Sequence, residues 1–69
     1  MKITILGHTV SYEENAKSGI YYLAYQIDAP EKKVFFDQAY SKGSAAFEDQ
    51  DGRNYKLVLS GPEYKLIRS

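Results

Sequence analysis

The segment from Asp28 to Gly43 constrains the fold most, because it carries the start and stop signals of a helix. Asp28 suits the position that accepts hydrogen bonds from the unpaired amides of a first helical turn, and Glu31 follows three residues later, as in a capping box. Pro30 fits the first turn, where its missing N–H costs nothing. Gly43 suits the left-handed position that ends a helix. The segment therefore predicts one capped helix between two strand-rich halves.

The apolar pattern inside this segment supports the helix but also allows a strand. One helical stripe is expected to face the core, and it holds Val34, Phe35, Gln38 and Ala39. The alternative reads residues 34–36 as a strand that pairs with the preceding strand through a turn at residues 28–33. That alternative gives an all-β barrel. The capping signals at both ends favour the helix.

Strand patterns precede the helix. Residues 1–12 alternate between apolar and polar side chains, which predicts a half-buried strand, and Gly7 predicts a bulge that turns Val10 and Tyr12 inward. Residues 13–19 are polar and end in glycine, which predicts a hairpin loop. Residues 20–27 are rich in aromatic and β-branched side chains and predict a second strand.

Three further strands follow the helix. Residues 45–48 and 55–59 flank Asp51-Gly52, a pair typical of hairpin turns. Residues 60–63 predict another turn, and residues 64–68 a last short strand. The expected fold is a single α+β domain over residues 1–69 in the order ββαβββ, with one helix packed on a mainly antiparallel sheet.

Composition narrows the functional classes. The 69 residues contain no cysteine and one histidine, His8, so we expect no disulfide, no metal site and no cofactor. The formal net charge of +0 argues against a strong electrostatic hold on nucleic acid or an anionic membrane. The sequence has neither an apolar run of about 20 residues nor a signal-peptide pattern. We therefore expect a cytoplasmic protein with no membrane partner.

Several short stretches resemble the immunoglobulin-binding domain of streptococcal protein G. They are residues 2–10, residues 33–35, Ala39, Gly43 and residues 47–49. The resemblance implies a β-grasp fold, in which a helix crosses a sheet made of two hairpins. That family binds the antibody Fc region with an acidic residue on the helix and a tryptophan on the third strand. The helix position corresponds to Lys32 here, and the chain has no tryptophan, so this binding is not expected to carry over.

No catalytic site is expected. A serine nucleophile needs an adjacent base and an orienting group, and His8 is the only imidazole available to the serines. Glu48 and Asp49 would point to opposite faces of a strand and would not converge. The sequence has no glycine loop of the kind that binds phosphate. These observations predict a non-enzymatic protein.

Two binding hypotheses remain, and both use the sheet. A single-stranded nucleic acid could contact the basic C-terminal hairpin through Lys56, Lys65 and Arg68, with Tyr22 stacking on a base if it faces outward. Nucleic acid is the weaker hypothesis, because the net charge is zero and lysines commonly protect sheet edges.

A protein partner is the stronger hypothesis. Residues 20–27 carry apolar side chains on both faces of the predicted strand, which leaves an exposed apolar patch made of Ile20, Tyr22, Val58 and Ile67. Lys56 and Lys65 would lie at its rim. We therefore expect a small protein-binding or regulatory module that acts through a tyrosine-containing sheet face or an edge strand. Such a surface would also suit a homodimer.

Overall fold

A five-stranded mixed sheet with helices on one face makes up the protein, seen in a computed structural model that describes residues 1–69. The strands are β1 (Lys2–Ile5), β2 (His8–Tyr12), β3 (Ser44–Glu48), β4 (Asn54–Ser60) and β5 (Glu63–Arg68). Their order across the sheet is β1-β2-β5-β4-β3, with β2 and β5 parallel and every other neighbouring pair antiparallel. The predicted α+β class and the predicted ββαβββ order of elements along the chain are confirmed, and the sheet is open, which excludes the barrel.

The first two strands both come from the segment predicted as one strand. β1 and β2 form a tight hairpin in which Ile5 pairs with His8, so Leu6 and Gly7 are the whole turn. Both turn residues have positive φ, 52° and 79°, which is the pattern of a type I′ turn. Gly7 is therefore a hairpin turn residue and not the predicted bulge. Val10 does point inward and is fully buried.

Helical structure replaces the predicted second strand at residues 20–27, and this prediction was wrong. A 3₁₀ turn at Glu14–Ala16 leads into helix α1 (Lys17–Tyr21), which continues as a π turn over Tyr22–Gln26. Part of the predicted loop at residues 13–19 is therefore helical as well. Ala16, Ile20 and Leu23 are buried. Their spacings of four and three residues match one helical face, and burying that face favours the helix over the strand propensity of the tyrosines.

Helix α2 (Ala29–Lys42) has the predicted ends but presents a different face to the core. Oδ1 of Asp28 accepts a hydrogen bond from the Glu31 amide at 3.3 Å. Gly43 has a φ of 89°, and its amide donates to the Ala39 carbonyl at 2.9 Å. Phe36 and Ala39 are buried, whereas Val34 is 62% exposed. The predicted stripe was thus wrong for Val34, because the helix is rotated so that Phe36 faces the sheet.

Tyr55 and Gly19 set how closely the helical layer approaches the sheet. The ring of Tyr55 is fully buried within a core cluster of 13 residues. A Cβ atom at Gly19 would lie 2.6 Å from Cδ1 of Tyr55, well inside van der Waals contact. Only glycine lets the backbone of α1 rest on this ring.

We predict that Gly19→Ala destabilises the protein by about 1–3 kcal/mol, because the added methyl overpacks the contact with Tyr55. Alanine favours helix by about 1 kcal/mol over glycine, so the overpacking cost is partly offset. Urea unfolding followed by circular dichroism measures the change. Ser18→Ala, at the exposed neighbouring position, is the control and should leave stability nearly unchanged. Equal midpoints for Gly19→Ala and the wild type would contradict the close contact.

Leu6 has a left-handed backbone conformation that is less unfavourable for asparagine than for leucine. Leucine in the left-handed region is disfavoured by about 1–2 kcal/mol, whereas asparagine tolerates it and suits a type I′ turn. We predict that Leu6→Asn raises the free energy of unfolding by about 0.5–1 kcal/mol. The same denaturation measurement applies. A loss of stability would show instead that the Leu6 side chain makes a contact worth more than the strain.

Candidate functional site

One face of the sheet has no covering element, and it is the candidate site. The helices pack on the face that holds Val10, Tyr55, Leu57 and Leu66. Because side chains alternate along a strand, the intervening residues point to the opposite face. The strand pairings align one row of these residues across the whole sheet: Ser44, Val58, Lys65, Ser11 and Lys2. A second row contains Ala46, Lys56 and Ile67.

Apolar and basic side chains alternate at the centre of this uncovered face. Lys65 lies directly across from Val58, and Lys56 directly across from Ile67, so the two apolar residues are diagonal neighbours. Val58 is half-buried and Ile67 is 38% exposed. The arrangement can accept a partner surface that combines apolar groups with carboxylates.

Beside this centre, the uncovered face carries an internal ion pair. Nζ of Lys2 lies 3.2 Å from Oε1 of Glu63, and the two side chains are 63% and 40% exposed. Lys56 and Lys65 form no ion pair with any acidic side chain. These two lysines therefore remain available to an acidic partner.

Four of the six predicted binding residues come together on this face, and two do not. Lys56, Val58, Lys65 and Ile67 are neighbours, as the strand pattern predicts. Tyr22 lies in the helical layer instead, where its ring stacks on Phe47 with centroids 5.9 Å apart. Arg68 is exposed, but it pairs with Tyr55 and by alternation belongs to the helix side of β5.

The predicted apolar patch is smaller than expected as a result. Ile20, assigned to the patch with Tyr22, is buried in the core. The uncovered face therefore has no aromatic side chain. Ile20 and Tyr22 were misassigned to the patch because residues 20–27 were predicted to be a strand of the sheet.

A polar surface pocket of about 510 Å³ lies between the start of the helical layer and the loop joining β3 to β4. Asp49 forms part of its wall and is almost completely buried. Oδ1 of Asp49 accepts hydrogen bonds from the amides of Asp51 and Arg53, each at 2.9 Å, and Oδ2 accepts one from the Tyr55 hydroxyl at 3.2 Å. Arg53 Nη1 lies 3.8 Å from Oδ2.

These partners determine the charge of Asp49. Burial by itself would raise the pKa of its carboxyl, but the amides of Arg53 and Asp51, the Tyr55 hydroxyl and the Arg53 guanidinium together hold that pKa below 3.8. Every oxygen of the carboxylate is engaged by this chain. Asp49 therefore fixes the loop and is not free to act on a ligand.

The remaining chemical groups are also engaged or scattered. The His8 ring stacks on Phe36 with centroids 4.6 Å apart and meets the edge of Tyr64 at 5.2 Å. No group of three or more His, Asp or Glu side chains is placed to hold a metal ion. None of the helices is both long enough and apolar enough to cross a membrane.

The sequence patterns missed an exposed aromatic pair on the helical layer. Tyr21 and Tyr25 have ring centroids 5.2 Å apart and are among the most exposed large side chains. Their spacing of four residues brings them together only if the segment is helical. The helical spacing of Ala16, Ile20 and Leu23 was the signal that would have revealed the pair.

The lowered pKa of Asp49 predicts acid sensitivity. An acid with a depressed folded-state pKa contributes stability that is fully present above its unfolded value of 3.8 and is lost as pH falls through the folded value. We expect the urea midpoint to fall on acidification below 3.8, and Asp49→Asn to lower stability at neutral pH while weakening this pH dependence. Asp51→Asn, at an exposed position, is the control and should change little. An unchanged acid profile in Asp49→Asn would contradict the assignment.

In comparisons with known proteins, no protein-family model, no curated protein and no solved structure matches this chain. A fold by itself does not imply a function.

Proposed function

We propose that this chain is a small non-enzymatic binding or regulatory module of the cytoplasm that docks on a partner protein through the uncovered face of its sheet. Val58 and Ile67 supply the apolar contact, and Lys56 and Lys65 supply the charged rim. The partner would present apolar groups flanked by carboxylates. The protein would act by occupancy, because a rigid sheet that covers a surface changes what the partner can bind.

One observation carries the proposal: the centre of a mostly polar sheet face holds two large apolar side chains next to two lysines that have no acidic partner. Buried apolar area drives association, and lysines with no partner steer an acidic surface onto it. The engaged state of Asp49 and the stacked position of His8 support a binding role over a catalytic one.

Tyr22 takes no part in the proposed contact, because it packs on Phe47 on the opposite side of the sheet. We also propose a β-grasp-like fold, which is supported by a hairpin, a helix across one sheet face and a second strand-rich half.

Single-stranded nucleic acid remains the alternative partner, and the geometry favours it less. Sequence-tolerant binding of single strands relies on aromatic side chains that stack on bases beside cations that meet phosphates. The uncovered face offers Lys56 and Lys65 but no aromatic ring, and Arg68 belongs to the other side of β5. A nucleic-acid partner would therefore have only phosphate contacts here, with a steep dependence on salt.

The test is capture of partners from lysate of the native host by tagged wild type and Ile67→Glu, with and without nuclease. Glutamate at this position removes the apolar contact and repels carboxylates, so we expect at least a tenfold loss of captured protein. Val34→Glu on the exposed side of α2 is the matched control and should capture normally. Circular dichroism checks that both variants are folded.

Two outcomes would contradict the proposal. Equal capture by Ile67→Glu and Val34→Glu would exclude the uncovered face as the contact surface. Recovery that disappears with nuclease and falls steeply with salt would replace the protein partner with nucleic acid.

A further inference from the structure

Strand β3 forms one edge of the sheet, and the backbone groups on its outer side have no partner. The Asp49 amide donates to the Arg53 carbonyl, and the Leu59 amide to the Gly43 carbonyl, both at 3.0 Å. Since bonded positions alternate along an antiparallel strand, Ala45 and Phe47 also bond to β4. The N–H and C=O groups of Ser44, Ala46 and Glu48 therefore point away from β4, where the sheet has no further strand.

This edge has few of the features that keep another strand from pairing with it. Natural edge strands are commonly protected by lysine, proline, a bulge or short length. β3 contains no lysine or proline, its five residues pair with β4 without interruption, and its only charged side chain is Glu48 at the end of the strand. β1, at the opposite edge, is shorter and carries Lys2. The side chain of Ala46, at the middle of β3, is small and exposed, so a second backbone can approach closely.

We propose that a second copy of this chain pairs with β3 in antiparallel orientation, so that one continuous sheet runs through both copies. A two-fold axis would pass beside Ala46, which would pair with Ala46 of the second copy, while Ser44 would pair with its Glu48. This register uses every unpaired backbone group of the strand, and each pair exchanges both of its hydrogen bonds.

The charge of Glu48 favours the same register. Each Glu48 carboxylate meets a serine hydroxyl that can donate a hydrogen bond to it. A register shifted until the two Glu48 residues face each other would place like charges side by side and leave the groups of Ser44 unpaired. A homodimer of this kind also complements itself, because the edge that donates is identical to the edge that accepts. The dimer goes beyond the proposed partner-binding role and does not depend on it.

Sedimentation equilibrium of the wild type and of Ala46→Pro tests the dimer. Proline removes only an N–H that points away from β4, so the monomer should fold normally. We expect the wild type to reach about twice the monomer mass and to dissociate on dilution, and Ala46→Pro to stay at the monomer mass. Thr4→Pro is the matched control, because its N–H likewise points outward, from β1. It should dimerise like the wild type.

Two variants at Ser44 test the register. Lysine at this position would face Glu48 of the second copy, and glutamate would repel it. We expect Ser44→Lys to lower the dimer dissociation constant roughly fivefold, and Ser44→Glu to raise it roughly fivefold. Hydrogen exchange gives an independent readout, since the amides of Ser44, Ala46 and Glu48 should become protected as protein concentration rises.

Several results would overturn the proposal. They are a wild type that stays monomeric at every concentration, an Ala46→Pro variant that still dimerises, Ser44 variants that shift affinity in the same direction, or outward amides that exchange rapidly in a dimeric sample. A monomeric wild type that instead accepts a peptide along β3 would assign the edge to a different occupant.

Discussion

The ring of Tyr55 joins three parts of the molecule, and the small core depends on that junction. One side of the ring supports the backbone of Gly19 in the helical layer. Its neighbour Phe47 stacks beside it from β3, with centroids 5.7 Å apart. Its hydroxyl reaches Asp49 in the loop between β3 and β4. Because the chain has no disulfide, contacts such as those of Tyr55 must hold the helix, the sheet and the loop in one fixed arrangement.

The same junction decides which surfaces are left for binding. Because both helices are drawn to the Tyr55 side, the opposite face of the sheet is left to solvent with Val58 and Ile67 at its centre. Because α2 leads directly into β3, the helix covers that strand from one face and leaves its outer edge open. The uncovered face and the free edge therefore both result from the packing of the helices on the Tyr55 side of the sheet.

Local signals predicted the second half of the fold well. The ends of α2 are set by Asp28 and Gly43, and the last three strands are separated by turn residues whose preferences are local. Alternation along β4 and β5 was enough to place Lys56, Val58, Lys65 and Ile67 together. It also gave the correct inward positions of Tyr55 and Leu57. These features depend on neighbours in sequence, which a single sequence contains.

The first half needed information from packing. Tyr21, Leu23, Tyr25 and Ile27 alternate as in a strand, but Ala16, Ile20, Leu23 and Ile27 are also spaced as in a helix. In the structure the other five segments form the sheet, and this segment packs against the core as a helix. The rotation of α2 toward Phe36 likewise depends on contacts with distant residues such as His8 and Tyr64. Periodicity alone does not contain these contacts.

The central position of β5 has a consequence for synthesis on the ribosome. β5 is the last of the five strands to emerge, yet it is the only one that joins the β1–β2 hairpin to β3 and β4. The hairpin made first therefore has no neighbouring strand to pair with until β5 has been made. Pairing between Val10 and Tyr64 closes a long loop, which is slow compared with forming either hairpin. A nascent chain of this protein would expose the inner face of its first hairpin to chaperones until β5 has emerged from the ribosome.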